Sequence, residues 1–293
     1  MYKNPENLPK KNLELISKLK LFQIYKNLKY PSLKIDSYFQ VYEEIFKSYV
    51  GKKITFVEIG VLGGGSLFMW REYFGKDARI IGIDLNPEAK KWEKHGFEIF
   101  IGSQSDEKFW DNFYTKVGKI DILLDDGGHF NKQQIISFSK SLPNTNDGGI
   151  IVVEDCHSSY MKMFGNPSKF SFINFSKYII DKINYRCSET DSNKTNIKEK
   201  RIFSVSFYES IVVFNINSKK CFDSEIVNNF GNPYSTIDFS RTEFFPKIQK
   251  FIDTKLSILK KIPIIKKLVR LLFYRRNLIW KIKEYFSLKK FFK

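Results

Sequence analysis

The chain has 293 residues, 42% of them hydrophobic, and a formal charge of +17; that suffices for one large α/β domain with extensions, or for two small domains. Its three cysteines, Cys156, Cys187 and Cys221, form no CxxC pair, which speaks against a disulfide framework and against a thiolate zinc site. Lys and Arg interrupt every apolar run well short of the roughly 18 residues that a bilayer-spanning helix needs.

The basicity is concentrated. Residues 251–293 hold 13 Lys and Arg against two acids, a charge of +11, which leaves +6 for the rest. A tail of that kind suits an anionic partner such as a membrane surface, a nucleic acid or an acidic glycan. The opening stretch, 1–11, is polar and charged, so no secretory leader is expected and the expected location is the cytoplasm.

Residues 1–50 read as helical. Tyr38, Val41, Tyr42, Ile45 and Phe46 recur at helical spacing, and the Pro31 region divides the segment into two helices. From Lys53 onward short β-branched runs alternate with amphipathic stretches. The runs are 54–57, 79–83, 97–101, 120–124 and 150–153, the pattern of buried parallel strands joined by helices. Residues 186–201 are polar and predict a loop. The runs 202–208 and 211–217 flank Glu209 and Ser210 and predict a tight hairpin at the sheet edge. Beyond Pro246 the tail reads as helical, with Pro263 at a helix start and an apolar stripe through Ile265, Leu268, Val269, Leu272, Ile279, Ile282, Tyr285 and Phe286. The expected organisation is a helical extension over 1–50, an α/β domain over 51–217, and a C-terminal extension over 218–293 with basic amphipathic helices.

In open α/β sheets ligands bind at the carboxyl ends of the strands. The first predicted strand runs into Glu58, Gly60, Gly63, Gly64, Gly65 and Ser66. Such a turn lets backbone approach a ligand and ends at a helix N-terminus. Asp84 ends the next strand, where a carboxylate can accept both ribose hydroxyls; the alternative is a helix N-cap before Asn86 and Pro87. Glu58 decides between dinucleotide and S-adenosylmethionine, because an acid there repels a diphosphate but suits the ammonium of a methionine. Ser103 and Gln104 follow the third strand, where an adenine would lie; simple loop polarity is the alternative.

The fourth strand ends in Asp125, Asp126, Gly127, Gly128 and His129, and the fifth in Glu154, Asp155, Cys156 and His157. These neighbouring turns bring carboxylates together, which calls for a cation. Oxygen donors without thiolates favour Mg²⁺, Mn²⁺ or Ca²⁺. His129 has the chemistry to take a hydroxyl proton near neutral pH; its alternative role is structural hydrogen bonding. Cys156 reads as a small buried neighbour, and His95 as exposed.

On these stretches the sequence resembles the metal-dependent sugar O-methyltransferases of macrolide and polyketide biosynthesis and the related cephalosporin-hydroxylase family. The matching segments are 56–61 with Gly64, Gly65 and Ser66, then 82–84, 102–106, 125–129 and 154–160, within roughly 36–217. The resemblance implies a Rossmann-like class I methyltransferase fold: a seven-stranded, mostly parallel sheet with a C-terminal antiparallel hairpin. It implies Mg²⁺ (or Mn²⁺) on Asp126, Glu154 and Asp155, with His129 as general base. It implies an S-adenosylmethionine site drawn from Glu58, Gly60, Gly64, Ser66, Asp84, Ser103, Gln104 and Asp125. Gly63 stands where the family often has Asn, Ser103 where an acid is common, and Gly128 where Ser is usual. The expected reaction is methylation of a sugar hydroxyl in surface-glycan (polysaccharide) or natural-product glycoside biosynthesis, in a homo-oligomer, with the tail on the inner face of the membrane; the tail's alternative is a helical hairpin packed on the body or on another subunit. Alternatives are a catechol-like or phosphate-containing acceptor, RNA methylation, or a non-catalytic membrane-associated scaffold. Nucleic acid is not the expected partner, because the basic residues avoid the catalytic turns.

Overall fold

The β-branched runs form strands because their alternate side chains find two apolar layers to enter. In the computed structural model, which describes residues 4–187, 200–229, 231, 282 and 284–292, they are β1 (Thr55–Ile59), β2 (Arg79–Asp84), β3 (Glu98–Ile101), β4 (Ile120–Asp125), β5 (Thr145–Val153), β6 (Ile202–Tyr208) and β7 (Ile211–Ile216). The sheet order is β3-β2-β1-β4-β5-β7-β6. The first five strands are parallel. β7 runs antiparallel to β5 and pairs with the edge strand β6. This is the expected sheet, including its closing hairpin, which turns at Ser210 with φ of 63°. Strand order reverses direction at β1, which lies between β2 and β4, and such a reversal opens a crevice at the carboxyl edge.

Along each strand the two layers alternate. Phe56, Ile80, Ile122, Leu124, Ile150 and Val152 enter one core, while Val57, Ile81, Leu123, Ile151 and Val153 enter the other. The first core is covered by α2 (Lys20–Lys26), α3 (Tyr38–Phe46) and α4 (Gly65–Phe74), the second by α5 (Glu107–Val117), α6 (Asn131–Ser141) and α7 (Phe172–Asn184). Local chemistry sets the helix ends. The Asp106 carboxylate accepts from the Lys108 amide (2.9 Å) to start α5, and Gly118, with φ of 77°, stops it.

The N-terminal segment holds three helices where two were expected: α1 (Lys10–Ile16) precedes α2, and the stretch containing Pro31 separates α2 from α3. Its apolar stripe does more than cover the sheet. Phe46 is fully buried, with its ring centroid 5.3 Å from that of Trp70 and 5.6 Å from that of Phe74. The chain divides into two compact units, Met1–Ile226 and Val227–Lys293. The predicted loop lies outside the described residues at 188–199, as does the predicted helical tail, apart from residue 282 and 284–292; there 284–288 are helical and Lys289–Phe292 form a 3-10 turn.

Phe46→Ala, which empties a fully buried aromatic site, is expected to cost about 3–5 kcal/mol in chemical denaturation. A loss below about 1 kcal/mol would show that α3 is not part of the cooperative core.

Candidate functional site

A cavity of about 780 Å³ opens at the carboxyl edge of the sheet around the strand reversal. Of the predicted residues, Gly60, Asp84, Gln104, Asp126, His129, Glu154 and Asp155 stand on its wall. Glu58, Gly64, Ser66, Ser103 and Asp125 do not. Gly60 has φ of 91°, and a side chain there would strike the Asp126 carbonyl, so the glycine lets β1 and β4 meet at the rim. Gly64 starts α4 with φ of 78° beneath the Trp92 ring. The Gly65 amide donates to the Pro31 carbonyl (3.2 Å), so the chain itself engages a donor at the head of α4.

Asp84 is held at the end of β2. Its Oδ2 accepts from the amides of Val61 (2.8 Å) and Leu62 (3.1 Å), and its Oδ1 from that of Asn86 (2.8 Å). The helix cap is Asn86, whose side chain accepts from Glu88. A carboxylate has about four lone-pair sites, so Asp84 keeps acceptor capacity on the cavity side. Gln104, nearly buried, ties β3 to the β4 turn: its amide donates to Asp125 (3.0 Å), and its oxygen accepts from Gly128 N (2.8 Å). Asp125 is fully buried and also accepts from Gly127 N (3.3 Å). Ser103 Oγ accepts from Ser105 N (3.2 Å).

The opposite wall is acidic. Ile59 pairs with Asp125, and Asp125 with Val153, so the acids that follow β4 and β5 emerge side by side. Among the described residues, one set of donors could hold a metal ion: Asp126, His129 and Asp155, with their ligand atoms within 4.8 Å of one another. His129 Nε2 lies 3.3 Å from Asp155 Oδ2, and His129 Nδ1 is buried without a hydrogen-bond partner. His129 (φ of 59°) and Asp155 (φ of 53°) both adopt left-handed backbone, which is uncommon outside glycine although His and Asp tolerate it better than most residues, and such positions cluster at functional sites. Two carboxylates, an imidazole with an orphaned nitrogen and no thiolate suit a hard divalent cation. Cys156 is buried, with Sγ 3.3 Å from the Val153 carbonyl, and burial pushes its thiol up. His157 is half exposed and its Nδ1 pairs with Ser210 Oγ (2.5 Å). His95 is exposed.

Three residues of the N-terminal segment reach this wall, and the motif-based reading missed them. Lys34 is 1% exposed; its ammonium lies 2.5 Å from Asp126 Oδ2, 3.1 Å from Glu154 Oε2 and 3.8 Å from Glu58 Oε1. Burial alone would lower its pKa, but the three carboxylates overcome it and hold the ammonium well above the usual range. The Tyr42 hydroxyl donates to Glu154 Oε1. The Tyr38 hydroxyl donates to Asp155 Oδ1 (2.5 Å) and lies 2.9 Å from Ser210 Oγ. Glu154 is therefore engaged on both oxygens, and burial with the adjacent Asp126 holds its carboxyl well above the ordinary range against the pull of Lys34. Sequence offered one signal for the tyrosines, their place on the buried stripe of α3, and none for Lys34.

Glu58 sits behind this wall, fully buried. It accepts from Ser66 Oγ (2.7 Å) and Trp70 Nε1 (2.9 Å). Burial pushes its carboxyl from 4.5 up to about 7, with Lys34, Ser66 and Trp70 pulling the other way. A folded-state value above the unfolded one means that the fold favours the protonated form more than the unfolded chain does. The contribution is complete below about 4.5 and is lost as pH rises through about 7. In chelator-containing buffer, wild type is expected to lose thermal stability relative to Glu58→Gln across that window. Parallel pH curves for the two proteins would contradict this.

No family model matches the chain. The 8-demethyl-8-α-L-rhamnosyl tetracenomycin-C 2'-O-methyltransferase of Streptomyces olivaceus is 31% identical over 161 residues, 52% of this chain and 42% of that protein. The mycinamicin VI 2''-O-methyltransferase of Micromonospora griseorubida is 29% identical over 183 residues, 58% of this chain and 45% of that protein. Among solved structures, the MycE methyltransferase of the mycinamycin pathway in complex with Mg, SAH and mycinamycin VI superimposes with a TM-score of 0.59 at 26% identity, over 68% of this chain and 53% of that one. The chain spans less than half the length of these two curated relatives. It has the class I methyltransferase fold, and these two curated relatives are sugar O-methyltransferases of the tetracenomycin-rhamnose and mycinamicin type.

Proposed function

We propose that this chain is an S-adenosylmethionine-dependent, Mg²⁺-dependent O-methyltransferase acting on a sugar hydroxyl. The carrying observation is that one cavity holds Asp84 and Gln104 on one wall and Asp126, His129 and Asp155 on the other. The relatives' names, and the Mg and SAH of the MycE complex, agree with it.

In this reading Asp84 accepts the ribose hydroxyls, and Gln104 fixes the turn against which the adenine end lies. Asp126 and Asp155 hold the ion. When bound, a divalent ion supplies Lewis acidity and a seat for neighbouring sugar hydroxyls. His129, its ring oriented by Asp155, takes the proton of the hydroxyl that attacks. When bound, S-adenosylmethionine would supply the methyl group and leave as the neutral sulfide, and His129 would hold the proton given up by the attacking hydroxyl. Tyr38 orients Asp155 from behind.

The acceptor we infer is a glycan or glycoside. The +11 tail over 251–293 supports assembly at an anionic membrane surface, and so a place in surface-polysaccharide synthesis. Among the described residues no helix is long and apolar enough to cross a membrane, so the contact we propose is peripheral.

Titration calorimetry with S-adenosylmethionine and then Mg²⁺ tests the reading. Wild type is expected to bind both, and Asp155→Asn to keep the cofactor while losing the ion. No cofactor binding by wild type would refute methyl transfer. With a methylated glycoside or nucleotide sugar in hand, His129→Ala is expected to lower kcat by about 10²–10⁴-fold without weakening cofactor binding; an unchanged kcat would remove His129 from the proton transfer.

A further inference from the structure

We propose that Lys34 is a resident cation of the acidic wall, so that its ammonium competes with the divalent ion and keeps Glu154 out of the coordination sphere. The inference rests on the metal-dependent reading above and specifies how this chain sets its affinity for the ion.

Three observations carry it. First, Lys34 Nζ lies between the acids that follow β4 and β5, 2.5 Å from Asp126 and 3.1 Å from Glu154. Two carboxylates that close call for a positive charge, and here the chain supplies one from 92 and 120 residues away. Second, both Glu154 oxygens already have a partner in the chain: Oε2 meets Lys34 and Oε1 meets Tyr42. It falls outside the group of donors within 4.8 Å of one another, which is Asp126, His129 and Asp155. Third, the backbone bearing Lys34 is fastened on both sides. The Pro31 carbonyl accepts from Gly65 N (3.2 Å), the Ser32 carbonyl accepts from Tyr25 OH (2.9 Å), and Asp36 Oδ2 accepts from Asn12 Nδ2 (2.6 Å). The ammonium is therefore delivered by a fixed strap.

The charge arithmetic follows. With Lys34 present, one of the positive charges that the wall can accommodate is already in place, so an incoming dication gains less. With Lys34 removed, Asp126 and Glu154 face each other without a counter-ion, and Glu154 becomes a third carboxylate donor for the ion.

The test is calorimetry with Mg²⁺ and Mn²⁺ on full-length wild type, Lys34→Met and Lys34→Gln, together with melting curves in chelator and in saturating Mg²⁺. Both variants are expected to bind the ion roughly tenfold or more tightly than wild type, to melt lower than wild type in chelator, and to gain more from Mg²⁺ than wild type does. A variant that folds only when Mg²⁺ is present counts for the proposal, since the ion then replaces the lost charge. Equal or weaker ion binding by the folded variants overturns it, as does failure of both variants to fold with Mg²⁺ present. Wild type that binds the ion beside variants that bind it no more tightly sinks this inference alone. Absence of ion binding in every protein, with S-adenosylmethionine still bound, sinks the metal-dependent reading as well.

Discussion

Lys34 Nζ sits within 4 Å of carboxylates from the ends of three strands: Glu58 at 3.8 Å, Asp126 at 2.5 Å and Glu154 at 3.1 Å, with the Lys34, Glu58 and Glu154 side chains withdrawn from water. Charges in such a place are costly unless each meets an opposite charge or a hydrogen-bond donor. The surroundings meet that demand residue by residue. Ser66 and Trp70 donate to Glu58, Tyr42 to Glu154, and Gln104 to the adjacent Asp125. Much of the polar architecture around the switch in strand order serves this one electrostatic requirement.

The fold brings the acids together before any side chain contributes. Parallel pairing aligns Ile59 with Asp125 and Asp125 with Val153, so whatever follows those positions emerges at one rim. Gly60 permits the close approach. The left-handed backbone of His129 and Asp155 then turns both side chains into the same few ångströms, where an imidazole and two carboxylates can share a cation and a proton. The N-terminal helices complete the wall: α3 buries Phe39, Tyr42 and Phe46 in the core, and that same packing aims the hydroxyls of Tyr38 and Tyr42 at Asp155 and Glu154.

The strands were legible because period-2 burial in two layers leaves continuous β-branched runs, and their carboxyl ends were legible because glycines and acids cluster there. The motifs located turns but did not say which atoms face the cavity. Gly64 and Ser66 read as ligand contacts; in the fold Trp92 covers the first and the second donates to Glu58. Lys34 was invisible because it lies in a polar stretch and meets Asp126, the partner closest in space, across 92 residues of chain. Tyr38 and Tyr42 read as core and are core, and only the folded chain shows that their hydroxyls emerge on the other side of it.

The central claim is that the acids after β4 and β5 hold a divalent cation in the same cavity that takes the cofactor. Anomalous scattering from crystals grown with Mn²⁺ and S-adenosylhomocysteine tests it most directly. The expected result is a manganese peak at Asp126 and Asp155, with the nucleoside beside Asp84. A nucleoside bound there with no manganese peak at those two residues would contradict the account.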